Sequence, residues 1–196
     1  MTEEQDVKLR ILLAAKKLFA AQGFDGTTVR QICEEAGANV ALVSYHFGGK
    51  ESLFTALLEA FFPNGELAAI DTGMHPVEGL RMIIREVTLF RISNPELVNI
   101  IQQEIIMNNS ARLEHIRKHA MPLWQLLRKW LAEGREQGYY RFRSMDTAFM
   151  SITGTLLTPR NQPYWMVLMD GEGIDPDTMI QDLTDFILGG LQYTGE

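Results

Sequence analysis

The chain has 196 residues, 46% of them hydrophobic, with 16 Gly, 7 Pro and a formal net charge of −7. Such a composition excludes collagen-like and disordered classes and suits a globular protein, built as one large helical domain or as a small N-terminal module joined to a larger one. The acidic balance argues against bulk attraction to a polyanion, one cysteine excludes an internal disulfide or a thiolate metal cluster, and no run approaches the roughly 18 to 20 apolar residues of a membrane span.

Val7, Ile11, Ala14, Ala15, Leu18 and Phe19 recur at three- and four-residue spacing, so residues 6–22 are expected to form an amphipathic helix ended by Gly23. Thr28 with Gln31 three places on reads as a capping box opening a brief helix whose inner face is Val29, Ile32, Cys33 and Ala36. Gly37 breaks that helix. Residues 40–47 then make a second short helix with Asn39 as N-cap, and residues 50–62 a fourth, stopped by Pro63. Residues 64–75 read as a loop. Pro at a first helical position starts helices over 76–92 and 95–107; a further piece covers 111–120, and Pro122 starts another that reaches residue 137, closed by Gly138. Residues 144–157 follow, then a loop holding Pro159, Pro163, Gly171 and Gly173, and a last helix over 176–191 capped by Asp175. No sustained strand alternation occurs, so the expected fold class is all-α.

Charge is unevenly placed. Residues 1–50 hold six basic side chains (Lys8, Arg10, Lys16, Lys17, Arg30, Lys50) and six acidic ones (Glu3, Glu4, Asp6, Asp25, Glu34, Glu35), so all of the −7 lies beyond them. The acidic start, with no basic leader before an apolar run, makes a cytoplasmic location the expectation. Cys33 reads as a small core residue and not a redox sensor. His115 and His119 lie four apart without a third ligand in step, so no metal is expected. The GGK at 48–50 lacks the upstream glycine of a phosphate loop. No catalytic constellation is present, so an enzyme is not expected, nor a cofactor.

Two short helices, a glycine turn and a small residue at the crossing are the parts of a helix-turn-helix, here residues 28–47, with Val43 anchoring the second helix and Val40, Ala41, Ser44, Tyr45 and His46 turned outward. The stretch FAAQGFDGTTVRQICEEAGANVALVSYHFGGKESLF resembles the N-terminal domain of the TetR family, matching it at Phe19, Gly23, Phe24, Thr27, Thr28, Val29, Ile32, Ala36, Gly37, Tyr45 or His46, Phe47, Lys50 and Leu53. Many members carry an aromatic where Ser44 stands. The resemblance implies a three-helix DNA-binding domain over 5–62 and a larger helical effector-binding and dimerisation domain over 76–194, in a regulator of the repressor type. It implies that Thr27, Thr28 and the nearby amides hold phosphate at a helix N-terminus. Arg30 would reach phosphate or a base edge, Asn39, Val40, Ala41 and Ser44 would face bases, and Tyr45, His46 and Lys50 would hold the flanking backbone.

One short reading helix covers few base pairs, so a homodimer on a palindromic double-stranded operator is expected. The candidate interface is Ala148, Ser151, Ile152 and Thr155 on one helix with Met179, Leu183, Phe186, Ile187 and Gly190 on another. An apolar small-molecule effector is expected among Phe90, Ile105, Met107, Trp124, Leu127 and Phe149. The alternative is a helix-turn-helix protein without such a ligand, gated by a protein partner or acting architecturally.

Overall fold

The computed structural model describes residues 3–158, 163–169 and 174–195, and the described residues form helices and no strands. In chain order these are α1 (Glu3–Gly26), α2 (Val29–Ala36), α3 (Val40–Phe47), α4 (Lys50–Phe61), α5 (Asn64–Ala68), α6 (Pro76–Ser93), α7 (Pro95–Met107), α8 (Ser110–Glu136), α9 (Met145–Leu157), α10 (Pro163–Met166) and α11 (Pro176–Gly190). No described helix is long and apolar enough to cross a membrane. The chain divides into two compact units that interleave its segments: Met1–Ala69 with Glu96–Met121, and Ile70–Pro95 with Pro122–Glu196.

Local chemistry accounts for where the elements differ from expectation. Gly23, at φ 77 and ψ 166, ends regular helix as expected, but one more turn follows to Gly26 because the break swings Phe24 into the core. Part of the expected loop after Pro63 is the one-turn helix α5. The two helices expected around Pro122 are one, α8, since the proline loses a single backbone bond while the flanking turns keep theirs. In the loop before the last helix, Pro163 opens α10, whereas Pro159, Gly171 and Gly173 lie outside the described residues.

The first unit is built on Ile11, Ala15, Phe19, Phe24, Ile32, Val43, Leu53, Phe54, Leu57 and Leu58, all buried. Phe19, Phe24 and Phe54 form its aromatic centre, with Phe24 and Phe54 edge to face at 5.6 Å. The segment 96–121 belongs here through specific contacts: Gln103 Nε2 donates to Ala20 O at 3.0 Å, and Lys16 Nζ lies 3.3 Å from Glu96 and 4.6 Å from the Phe61 ring centroid.

His119 on α8 is buried against the Phe62 ring, its Nδ1–H donating to Asn64 Oδ1 at 2.8 Å. Burial, with Lys118 and His115 adding to it against Glu59, holds its pKa below the ordinary 6.5. The unfolded chain therefore takes up this proton first on acidification, so stability is intact above about pH 6.5 and falls as pH drops below it. Thermal melts at pH 7.5 and 5.5 check this: His119→Gln, which can still meet Asn64, is expected to lose less on acidification than the wild type, and an equal loss contradicts the assignment.

In the second unit α6 is the element against which both α9 and α11 pack. It presents Leu80, Ile83, Ile84 and Val87, and Gly79 lets the Trp130 indole lie directly on its backbone. Gly134 makes room in the same way for Tyr140, whose hydroxyl donates to Pro76 O at 3.3 Å and whose pKa burial pushes far up. Arg91 is buried and donates to Thr158 O at 2.8 Å, tying α6 to the end of α9.

Candidate nucleic-acid interface

The interface begins at the N-terminus of α2. Thr28 is extended, its Oγ1 accepts from Gln31 N at 3.2 Å, and Thr28 N donates back to Gln31 Oε1 at 2.8 Å, a complete capping box. Helix geometry offers no carbonyl to the amides of Val29 and Arg30, which leaves them for an anion. At the other end Gly37 sits at φ 61, ψ 38, and the turn closes with Ala38 N donating to Cys33 O at 2.9 Å. Cys33 is 2% exposed, and burial followed by the charge of Glu34 pushes its thiol pKa up, which suits a packing role. Asn39 then caps α3, its Oδ1 accepting from Ala41 N at 2.9 Å.

Within α3 the division of labour is sharp. Val43 is wholly buried, while Val40, Ala41, Ser44 and Tyr45 are exposed, Tyr45 at 78%. Thr28, Arg30 and Asn39 are exposed as well, so seven of the ten expected DNA-facing residues share solvent across α2 and α3. The other three turn inward. Thr27 is 0% exposed and its hydroxyl donates to Gly23 O at 2.8 Å. The His46 side chain is 5% exposed, with Nδ1 3.8 Å from Glu4 Oε1 on α1. Lys50 donates to Phe24 O at 2.9 Å and Thr27 O at 2.8 Å, over the Phe24 ring at 4.2 Å. That leaves one of its three N–H groups for a phosphate.

The other five cations of residues 1–50 each have an internal partner. Lys8 meets Glu4, Arg10 meets Asp6, Lys16 meets Glu96, Lys17 meets Glu35 at 2.6 Å, and Arg30 meets Glu34 at 2.9 Å. The hydrogen bond from Lys17 to Glu35, then the charge of Glu35, holds the Lys17 pKa up. Attraction to a polyanion must then come from amides and a few re-paired side chains.

The expected effector residues divide between the units. Ile105 and Met107 fall in the first, and both are exposed, because α7 buries Leu97, Val98 and Ile100 instead. Phe90, Trp124, Leu127 and Phe149 fall in the second, where Leu127 is wholly buried and Trp124 meets Phe149 edge to face at 6.5 Å. Of the expected dimer residues, Ala148, Ile152, Leu183 and Ile187 are buried within this chain, Thr155 and Met179 are half-buried, and Ser151, Phe186 and Gly190 are exposed. The outer face of α9 and α11 adds Met150, Gly154 and Gly189. Sequence reasoning missed a polar cluster of Asp25, Glu51, Glu104 and Arg112. Its one signal was Arg112 in register with the apolar Leu113 and Ile116 of α8.

Residues 11–57 match the family model described as bacterial regulatory proteins, tetR family. A probable HTH-type transcriptional regulator of Bacillus subtilis, YttP, is 24% identical over 165 residues, 81% of this chain and 79% of that protein. The HTH-type transcriptional repressor NicS of Pseudomonas putida is 27% identical over 136 residues, 67% of this chain and 64% of its own length. Among solved structures, HlyIIR, a hemolysin II transcriptional regulator, has a TM-score of 0.78 at 29% identity over 98% of this chain and 100% of that one. Its variant with a segment substituted by a linker containing two thrombin sites is 30% identical at TM-score 0.75, over 93% and 100%. AibR, solved in complex with isovaleryl coenzyme A and operator DNA, shares the fold at TM-score 0.70 and 18% identity, over 92% and 97%.

Proposed function

The chain belongs to the tetR family of bacterial transcriptional regulators, and from that premise we propose that it binds a palindromic operator as a homodimer, represses there, and releases the DNA when a small apolar effector occupies the second unit. The observation that carries the DNA half is the outward face of α3: Val40, Ala41, Ser44 and Tyr45 are exposed while Val43 alone anchors the helix. Val40 and Ala41 cannot donate hydrogen bonds, so they read thymine methyl groups, and Ser44 takes either partner of a base edge. The amides at the start of α2 take a phosphate, Lys50 adds its remaining N–H, and Arg30 exchanges Glu34 for the DNA backbone.

Selection of bound fragments from random duplex, repeated at two salt concentrations, tests this reading. Each neutralised phosphate contributes about 0.9 to the salt slope, and the paired cations predict a shallow slope of only a few contacts per subunit. Tyr45→Ala is expected to melt like the wild type, since the ring is largely in solvent, while binding the selected duplex several-fold more weakly. Failure to enrich any duplex above random competitor ends the proposal.

Support for the effector half comes from the edge-to-face pair of Trp124 and Phe149 and from two buried polar atoms in that unit, Thr88 Oγ1 and Trp130 Nε1, that have no hydrogen-bond partner among the described residues. Full switching needs about 5.5 kcal/mol of differential affinity between the two states. A thermal-shift screen of small apolar acids and esters tests it: a stabilising compound that also releases DNA supports the reading, and none doing so favours gating by a protein partner.

A further inference from the structure

Arg112, in the first turn of α8, has a side chain only 4% exposed, yet it reaches three carboxylates. Its Nε donates to Glu104 Oε2 at 2.6 Å, Nη1 to Glu51 Oε1 at 3.4 Å and Nη2 to Asp25 Oδ2 at 3.5 Å. Its Cζ lies 4.1 Å from the centroid of the Phe24 ring, the ring that also carries Lys50 Nζ at 4.2 Å. Asp25 stands three residues before the Thr28 cap, and Glu51 directly follows Lys50. One guanidinium thus touches both segments that present hydrogen-bond donors to the DNA backbone, and through Phe24 it abuts the cation that ties them together.

A buried ion pair such as Arg112–Glu104 stabilises little against an apolar pair of similar volume, because desolvation offsets the attraction. Its consequence lies in placement and charge. The contacts to Asp25 and Glu51 are at the long edge of hydrogen bonding, so a small displacement of α8 breaks them. Both carboxylates are mostly exposed, at 71% and 65%, and without the guanidinium they stand uncompensated on the two segments that carry Thr28 and Lys50. A like charge near a bound phosphate weakens its binding in a salt-dependent way.

We propose that Arg112 is a positioning and charge-compensating residue for operator binding: seated on Phe24 it aligns the start of α2 with the start of α4 and cancels Asp25 and Glu51, and withdrawn with α8 it leaves those carboxylates to repel DNA. The proposal rests on the operator reading above. It gives movement of α7 and α8 a direct route to the phosphate contacts, and does so inside the first unit.

The test uses the full chain and the duplex that the wild type selects. Arg112→Leu with Glu104→Leu removes the buried pair together and is expected to keep the wild-type melting temperature within a few degrees while binding the duplex at least tenfold more weakly. Adding Asp25→Asn and Glu51→Gln to it is expected to restore most of that loss, whereas the same two changes in the wild type gain less than threefold. Should the leucine pair fail to fold, Arg112→Gln with Glu104→Gln, which removes both charges and keeps polar groups that can meet each other, carries the same comparison. A wild type that selects no duplex removes the operator reading and the proposal with it. A wild type that selects one, with leucine or glutamine variants binding within twofold of it, or with no recovery from the two amides, removes the proposal alone.

Discussion

Phe186→Glu is expected to turn the proposed dimer into a monomer and to weaken binding to the selected duplex by about 100-fold or more, the scale on which two linked weak contacts exceed one. Phe186 is 70% exposed and Met150 65% exposed, on two helices whose opposite faces are already used against α6. Beside them lie Gly154, Gly189 and Gly190, where an added Cβ would meet nothing within 4 Å. A mid-helix glycine costs about 1 kcal/mol relative to alanine, a cost the isolated subunit does not recover, whereas a partner helix laid against that face gains a closer approach. Gly154→Arg should act as Phe186→Glu does. Gly154→Ala discriminates: it raises helix propensity and meets open space in the subunit, so if it still loosens the dimer the partner backbone lies close. Light scattering and fluorescence anisotropy on a labelled duplex report both quantities. A Phe186→Glu protein that stays dimeric places the interface elsewhere.

The helical class and the reading head were legible because their signals are local. Thr28 with Gln31, Gly37 and Asn39 are short-range motifs whose hydrogen bonds form within three or four residues, and each stands in the structure as the spacing implied. Position on the surface was harder. Lys50, His46 and Thr27 look like phosphate ligands in one dimension, yet Lys50 turns inward to carbonyls 26 and 23 residues away, His46 to Glu4, and Thr27 to the Gly23 carbonyl freed where the helix breaks. The stripe on α9 and α11 was read as one face, but an amphipathic helix has an inner apolar face too, and Ala148, Ile152, Leu183 and Ile187 belong to it. Arg112 sits among apolar positions of α8, where its partners on α1, α4 and α7 cannot be guessed from any window of the chain.

Gly79→Val is expected to destabilise the second unit by about 3 kcal/mol or more, at the upper end of what overpacking a well-filled core costs. A Cβ at Gly79 would lie 2.3 Å from Trp130 Cδ2 and 2.5 Å from Cε2 and Cε3, and Trp130 is 0% exposed, so neither group can move into solvent. Position 79 lies in the first turns of α6, where valine should favour the helix over glycine by about a few tenths of a kcal/mol; the sign of the measured change therefore reports the ring and not the backbone. Trp130→Leu alone opens a cavity and should cost several kcal/mol, in the range of large-to-small core changes of about 2 to 5 kcal/mol. The two changes together should cost less than their sum by at least about 1 kcal/mol, because the valine then fills space the indole has left. Trp130→Phe separates ring from N–H: the indole Nε1 is buried with no acceptor among the described residues, a burden of about 1 to 3 kcal/mol that phenylalanine removes, so its loss should be smaller than the lost ring volume alone implies. Urea denaturation of the four proteins measures these terms, and a Gly79→Val protein as stable as the wild type, or strictly additive effects in the pair, contradicts the close seating of Trp130 on α6.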